Sequence, residues 1–272
     1  MLISSVQSGV VSLFSSTGSD PLELFSARTD ARLPEDSLIC LLNDETSEPF
    51  PPPPATLIPV SHRDNSTTGN DGQDPEYTLA QTVLHIQSPT LRATYICCPP
   101  SQRSHTRNQR RDDLGVLHPW IHLQVRDMDR EWSFEVGIVD RFGREGVIRC
   151  STFQKEPRLK LCIPPLLHLP LAFPSTSSHR LTAWSTITLH LSSLLPHFSS
   201  AALMHGESAD DADEEASYPR REEHHTTPVP SGTYSHVSYV KVYATCRLRR
   251  IWFSEGGPSQ KLPWEFQLYA AQ

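Results

Sequence analysis

The chain has few of the features by which enzymes and membrane proteins are recognised in a sequence. Its 272 residues include only 12 glycines, and these form no Gly-rich phosphate loop, hydrolase Gly-x-Ser-x-Gly turn or kinase motif set. No run approaches the ~18 apolar residues of a membrane span, and no cationic start leads into an apolar segment as in a secretory signal. The sequence therefore predicts a soluble, intracellular protein without catalytic residues.

Paired metal-ligand or redox motifs are absent as well. The six cysteines form no Cys-x-x-Cys pair, and the thirteen histidines do not have the spacing of a zinc site. His118 and His122, four residues apart on a predicted strand, would be ~13 Å from each other, which is too far to share one ion. We expect buried free thiols, no metal site and no cofactor.

The formal charge of −7 is unevenly distributed along the chain. Residues 43–77 contain seven acids and one base, and residues 204–225 contain eight acids and two bases. The rest of the chain has 21 bases and 16 acids, a net charge of +5. We therefore expect the folded part to be basic and to bind acidic partner surfaces.

Three polar segments interrupt the apolar pattern, at about 43–77, 101–113 and 204–232. The first contains four consecutive prolines, the second four arginines, and the third a dense cluster of acids. None has a periodic apolar face, so each is predicted to be disordered. Because strand-forming sequence resumes after each one, we expect three insertions in a single domain that spans residues 1–272.

Most of the remaining sequence alternates between apolar and polar residues, as half-buried strands do. Clear examples are WIHLQVRD (residues 120–127) and WSFEVGIVD (residues 132–140). The best helical signal is SSLLPHFSSAALM (residues 192–204), in which Pro196 allows only a short helix. Many short strands separated by turns predict an all-β fold, a β-sandwich of jelly-roll type with one short helix and long disordered loop insertions.

The stretch TCRLRRIWFSEG (residues 245–256) places three arginines inside an apolar run. Up to Leu248 the apolar residues share one face of the predicted strand, but Ile251 and Phe253 fall on the opposite face, with the arginines. A period of two cannot bury both sets against one core. The stretch therefore predicts a β-bulge or sharp bend at Arg249–Arg250.

Four basic side chains, those of Lys241, Arg247, Arg249 and Arg250, form the candidate binding site. They are either the solvated side of an outer strand, or a basic stripe that contacts an acidic protein, or part of a nucleic-acid surface. The last interpretation needs exposed aromatic side chains on which bases stack, and Tyr243 is the one candidate nearby.

The five tryptophans allow one further interpretation, a carbohydrate-binding module. Tryptophans exposed in a row on a sandwich would form a platform for sugar rings, whereas buried tryptophans would simply belong to the core. Both interpretations remain open at this point.

Several blocks of the sequence closely resemble the cilia- and flagella-associated protein 20 family. They are VQSGVVSLFSSTGSDPLELF (residues 6–25), TYICCP (residues 94–99), WSFEVGIVDRFG (residues 132–143), Trp184 with the TITLHLSSL strand, and YVKVYATCRLRRIWFSEGGPSQKLPWEFQLYA (residues 239–270). Their order along the chain agrees with the family. The chain is identified as a divergent member that carries acidic loop insertions.

The resemblance implies a non-enzymatic structural protein that associates with microtubules. Members of the family lie at the inner junction of ciliary doublet microtubules, where they contact tubulin and a parkin co-regulated neighbour. The implied location is the cytoskeleton of a cilium or flagellum, in the axoneme and basal body. The four basic residues are then expected to face tubulin. A nuclear, nucleic-acid-associated role is the alternative location and function.

Overall fold

A computed structural model describes residues 7–49, 82–100, 113–173, 183–204 and 228–266. It confirms the predicted all-β sandwich. The strands in these ranges are β1 (Val10–Ser15), β2 (Ser26–Arg28), β3 (Leu38–Asn43), β4 (Thr82–Gln87), β5 (Tyr95–Cys98), β6 (Trp120–Arg126), β7 (Ser133–Asp140), β8 (Glu145–Ser151), β9 (Arg158–Lys160), β10 (Leu166–Pro170), β11 (Trp184–His190), β12 (Tyr234–Tyr243) and β13 (Cys246–Ser254).

The strands form two sheets. The first has the order β11-β6-β13-β4-β3, with β1 also paired to β13, and the second has the order β2-β5-β12-β7-β8-β10-β9. Paired strands are antiparallel except β8 and β10, which are parallel. Chain neighbours repeatedly change sheet, as β4 to β7 and β11 to β13 do. This alternation between sheets agrees with the predicted jelly-roll type.

The core lies between the sheets and is built from alternate residues of each strand. On β7, Phe134, Val136 and Ile138 are fully buried and belong to the same cluster as Ile121 and Leu123 of β6 in the other sheet. The period-two pattern of the sequence therefore corresponds to one buried apolar face per strand. The polar alternation marks the outer faces, which prove to be partly covered as well.

The short helix is confirmed. Helix α1 (Leu191–Leu194) continues into a 3-10 turn at Leu195–Ser199, which contains Pro196 near its start. The side chains of Leu191, Leu195 and Phe198 are buried in the main core cluster. The segment thus covers apolar side chains at one end of the sandwich.

Most of the three predicted insertions lie outside the described residues, but their ends lie inside and belong to the fold. Residues 43–49 form a turn in which Ser47 N–H donates to the Asn43 carbonyl and Asn43 N–H donates to the Glu48 carbonyl. At the end of the third segment, Ser231 and Gly232 donate to the Asp140 carboxylate. Residues 43–49 and 231–232 are thus hydrogen-bonded within the described fold. None of the helices in the described ranges is long and apolar enough to cross a membrane.

All six cysteines are free, as expected, but only four of them are buried. Cys97 and Cys98 are adjacent on β5, and burial raises the pKa of their thiols to about 11 and about 12. Thiols with such pKa values stay protonated at neutral pH and are poor nucleophiles. Cys40 and Cys162 are the two that retain partial exposure.

Gly146, at the start of β8, offers a test of the packing at this end of the sandwich. A Cβ atom there would lie 2.8 Å from the Phe198 ring and 2.7 Å from Pro230 Cγ. We expect Gly146→Ala to lower the free energy of unfolding by about 1–3 kcal/mol because the added methyl group overpacks the core. Thermal or urea unfolding measures the change. The control is Gly256→Ala, where the closest atom would be 3.3 Å away on a side chain, and equal stability of the two variants would contradict the prediction.

Candidate partner-binding surface

The bulge predicted from the arginine-rich stretch is confirmed. β13 pairs with β6 with a register shift between Leu248 and Arg250, so that Arg249 is the extra residue. Leu248 before the shift and Ile251 after it are both fully buried in the core. The extra residue thus lets both apolar sets face the same core.

The four predicted site residues do not form one continuous stripe. Lys241 belongs to β12 in the second sheet, whereas Arg247, Arg249 and Arg250 belong to β13 in the first sheet. Their separation follows from the loop between β12 and β13, at which the chain crosses from one sheet to the other. Whether any of them contacts tubulin stays a prediction.

Arg247 is buried, with 5% of the residue exposed. Its Nη1 donates to Asp44 Oδ1 at 2.8 Å and to the Asp44 carbonyl at 2.7 Å, and its Nη2 donates to Ser47 Oγ at 2.6 Å. Asp44 follows β3 directly and lies within the segment that was predicted to be disordered. The guanidinium group is therefore held inside the protein rather than presented to a partner.

Asp44 also binds two other strands of the first sheet. Its Oδ1 accepts from Arg126 Nη1 at 3.0 Å, and its Oδ2 accepts from the indole N–H of Trp184 at 2.8 Å. We call Asp44, Arg126, Trp184 and Arg247 the Asp44 hub. It joins β6, β11 and β13 to the segment that leaves β3.

Two opposing effects determine the pKa of Asp44. Burial raises the pKa of the carboxyl, but the hydrogen bonds from Arg247 and Trp184 and the charge of Arg126 together hold it below its ordinary value. The carboxylate is therefore ionised at neutral pH and compensates part of the charge of two guanidinium groups. Sequence reasoning missed this residue, since nothing in the local pattern marks an acid that pairs 203 positions later.

Arg249 and Arg250 lie against aromatic rings. The Arg249 guanidinium carbon is 4.6 Å from the centroid of Trp184, and that of Arg250 is 5.1 Å from the centroid of Phe266. Arginines in such positions gain cation–π attraction and extensive packing. Trp184 is buried and Phe266 is half-buried, so they do not form the row of exposed rings on which single-stranded nucleic acid stacks.

Lys241 has a comparable arrangement on the second sheet. Its Nζ is 3.8 Å from the ring centroid of Tyr95 and 4.5 Å from that of Tyr243. Across the strand pair it lies opposite Glu135, whose carboxylate accepts two hydrogen bonds from Arg149. Lys241 is half-buried in this setting. The nucleic-acid interpretation is weakened here too, because Tyr243 is buried and lies beside this lysine.

The tryptophans do not form a row of sugar platforms in the described part of the chain. Trp132, Trp184 and Trp252 are buried, and Trp120 is half-buried and stacked on His190 at a centroid distance of 4.3 Å. Trp264 is the exposed one, at 67%. This arrangement favours the core interpretation over a carbohydrate-binding module.

Two hydrogen-bonded groups place a histidine beside a hydroxyl, and both histidines, His168 and His122, are buried. Ser151 Oγ and His168 Nε2 are 2.6 Å apart, and both residues are buried, so the hydroxyl is shielded from solvent. His122 hydrogen-bonds Thr188 and Ser254, and burial lowers the pKa of its ring to about 4. Within the described ranges, no three His, Cys, Asp or Glu side chains lie close enough to hold a metal ion.

Most of the net positive charge that was expected for the folded part belongs to residues outside the described ranges. The described residues contain 16 bases and 18 acids, a net charge of −2. Of the +5 assigned to the chain outside the two acidic stretches, +4 comes from residues 101–112 and Arg180, which lie outside the described ranges. Any basic surface within the described part must therefore be local.

Comparison with known proteins identifies a family and several relatives. Residues 67–202 match the CFA20 domain. The chain is 24% identical over 192 residues to cilia- and flagella-associated protein 20 of Chlamydomonas reinhardtii, which covers 70% of this chain and 75% of the relative. Proteins of the same name match from Caenorhabditis elegans (22% over 193 residues, 70% of each chain) and Paramecium tetraurelia (21% over 192 residues, 70% and 75%).

Removing the charge of Asp44 is expected to destabilise the fold. In Asp44→Asn two guanidinium groups lose their shared carboxylate, and we expect a loss of about 2–3 kcal/mol in the free energy of unfolding. Urea unfolding at neutral pH measures it. The matched control is Glu48→Gln, an exposed acid in the same turn, and an equally small effect of both changes would contradict the role of the hub.

The hub also predicts a pH dependence. Because the folded-state pKa of Asp44 is lower than the ordinary value of 3.8, its stabilisation is complete above that value and is lost as the pH falls through the folded-state pKa. The pKa values of Asp30 and Asp140 are lowered as well, so wild type alone does not isolate the effect. We expect Asp44→Asn to lose less stability than wild type between about pH 5 and pH 3. Parallel unfolding curves for the two proteins over this range would contradict it.

Proposed function

The chain belongs to the CFA20 domain family, and on that premise we propose that it is a structural, non-enzymatic protein of the cilium or flagellum that binds microtubules. The observation that carries the proposal is the family match, which covers residues 67–202, together with relatives that are named for cilia and flagella. A cilium-associated role is the part of the proposal that these names support directly.

The finer part of the proposal concerns the site of action. We assign the protein to the inner junction of doublet microtubules, with tubulin and a neighbour of the parkin co-regulated type as partners. In this position it helps to close the doublet and supports axoneme organisation and motility, and it is also present at the basal body. These specifics come from the resemblance of the sequence blocks.

The architecture is suited to a rigid structural part. Buried polar side chains on both sheets are used in internal contacts, as the Asp44 hub, the Arg149–Glu135 pair and the Ser151–His168 pair illustrate. Such networks fix one arrangement of the strands when their members are satisfied. A scaffold of this kind presents its loops and turns to partners at constant geometry, which a repeating polymer lattice requires.

The four predicted basic residues have different roles in the proposal. Arg247 contributes through the Asp44 hub, since its guanidinium group is enclosed. Lys241, Arg249 and Arg250 are half-buried. Substitution of Arg247 is a poor test of tubulin contact, because it leaves Asp44 buried without its main partner and affects folding first.

Direct binding to microtubules is tested by co-sedimentation. We expect the full chain to pellet with taxol-stabilised microtubules at low salt and to be released progressively as the salt concentration rises, because contacts with an acidic polymer are screened. The pelleted fraction is quantified over a range of tubulin concentrations. Failure to pellet at any salt concentration would contradict direct tubulin binding.

Location is tested in a ciliated cell by imaging the tagged protein. We expect signal along the axoneme and at the basal body, resistant to detergent extraction of the membrane and soluble matrix. A nuclear signal that nuclease treatment releases would instead support the nucleic-acid alternative and contradict the ciliary assignment.

A further inference from the structure

Two turns project from the same end of the second sheet. The β7–β8 turn contains residues 141–144, and the β9–β10 turn contains residues 161–165. The first turn leads into β8 and the second leads into β10. Since β8 and β10 run parallel, with Val147 opposite Leu166, both turns lie at the same end of the sheet. Adjacent strands are ~4.8 Å apart, so the two turns lie about 10 Å from each other.

These turns carry the most exposed large apolar side chains of the described residues. Ile163 is 73% exposed and Phe142 is 71% exposed, and Leu161 beside Ile163 is 52% exposed. Single exposed apolar residues are ordinary on a protein surface, but large ones grouped on neighbouring turns commonly mark an interaction site. We call Phe142, Leu161 and Ile163 the turn-tip surface.

The β7–β8 turn is held rigidly. One oxygen of the buried Asp140 carboxylate accepts from the backbone N–H groups of Phe142 and Arg144, at 2.8 and 2.9 Å. The other oxygen accepts from Ser231 and Gly232, both at 3.2 Å. Four backbone donors on one carboxylate fix the turn against the neighbouring segment.

The Phe142 ring is also fixed. The Arg144 guanidinium carbon lies 5.2 Å from the ring centroid, and Arg144 Nη1 donates to Ser231 Oγ at 2.7 Å. A Cβ atom at Gly232 would lie only 2.8 Å from the Phe142 ring, so this glycine permits the close approach. A side chain held in one position loses little conformational entropy when it is buried by a partner.

The β9–β10 turn is fixed to the sheet by its own contacts. Val147 N–H donates to the Pro165 carbonyl at 2.9 Å, and the Cys162 thiol lies 3.0 Å from the Pro164 carbonyl. Both turns therefore present apolar side chains from a preorganised backbone. This is the arrangement found for anchor residues at protein interfaces.

The charge around the turn-tip surface is locally positive. Residues 140–145 and 158–165 contain four bases, Arg141, Arg144, Arg158 and Lys160, and two acids, Asp140 and Glu145. Asp140 is buried and directed at backbone donors. Without Asp140, the formal charge of these two segments is three units positive, in contrast to the net −2 of the described residues as a whole.

We propose that the turn-tip surface is the docking site of this protein for an acidic protein surface that offers an apolar recess, with Phe142 and Ile163 as the anchors and the surrounding cations as the rim. The inference rests on the proposed function, in which that acidic surface belongs to the microtubule. It places the main contact at the end of the sandwich and leaves the half-buried Lys241, Arg249 and Arg250 a secondary role.

The test is co-sedimentation of the full chain with microtubules, comparing wild type with Phe142→Ala/Ile163→Ala. We expect the affinity of the double variant for microtubules to fall by about tenfold or more, because two anchors are removed. Phe142→Leu should bind nearly as well as wild type, since it keeps an apolar anchor, and Arg141→Glu should bind more weakly at low salt. The matched control is Trp264→Ala, an equally exposed aromatic residue that lies outside the turn-tip surface.

The outcomes separate the two proposals. Unfolding temperatures are measured for each variant, and we expect them to be unchanged because the substituted side chains are exposed. If wild type pellets and the folded double variant pellets equally well, the docking site is wrong while microtubule binding stands. If wild type itself does not pellet, both the microtubule-binding proposal and the docking site are overturned.

Discussion

Arg247 carries a permanent positive charge at a position on β13 where it is almost entirely removed from water, and the segments around it conform to that constraint. A buried guanidinium group is tolerated only with a charged partner and further acceptors. Asp44 supplies both, through its carboxylate and its carbonyl oxygen. Because the same carboxylate binds Arg126 and Trp184, one acid at the end of β3 organises the outer face of three other strands. That face is consequently part of the fold, although its sequence is that of a polar surface.

The bulge on β13 makes this arrangement compatible with the core. With Arg249 as an extra residue, Arg247 and Arg250 both pair on the outer face of β6, opposite Arg126 and Gln124, while the apolar residues on either side stay inside. A regular strand would send one of the two sets to the wrong face. The outward positions of Arg247 and Arg250 and the bulge between them are therefore two consequences of one local sequence.

The parts of the structure that depend on local pattern were predictable, and the parts that depend on distant contacts were not. Alternation predicted the strands, the sandwich and the bulge, and Pro196 predicted a short helix, because these follow from side-chain period and backbone chemistry within a few residues. Parity also placed Arg247 correctly on the outer face, but it could not show that Asp44, far along the chain and inside a polar segment, covers that face. Similarly, local pattern could not show that Gly232, 90 positions later, lies against the Phe142 ring.

The contacts on the two outer faces favour an end of the sandwich as the proposed docking site. On the first sheet, Arg126 and Arg247 are bound to Asp44 in the hub. On the second sheet, Arg149 is bound to Glu135, and Lys241 lies over the ring of Tyr95. A partner that docked on either face and displaced these contacts would have to compensate for their loss with new ones. The turn tips require no such exchange, since their apolar side chains are already outside and their backbone is already fixed. Burial of exposed apolar area is a main source of free energy for association, and the two most exposed large apolar side chains of the described residues, Phe142 and Ile163, lie on the β7–β8 and β9–β10 turns.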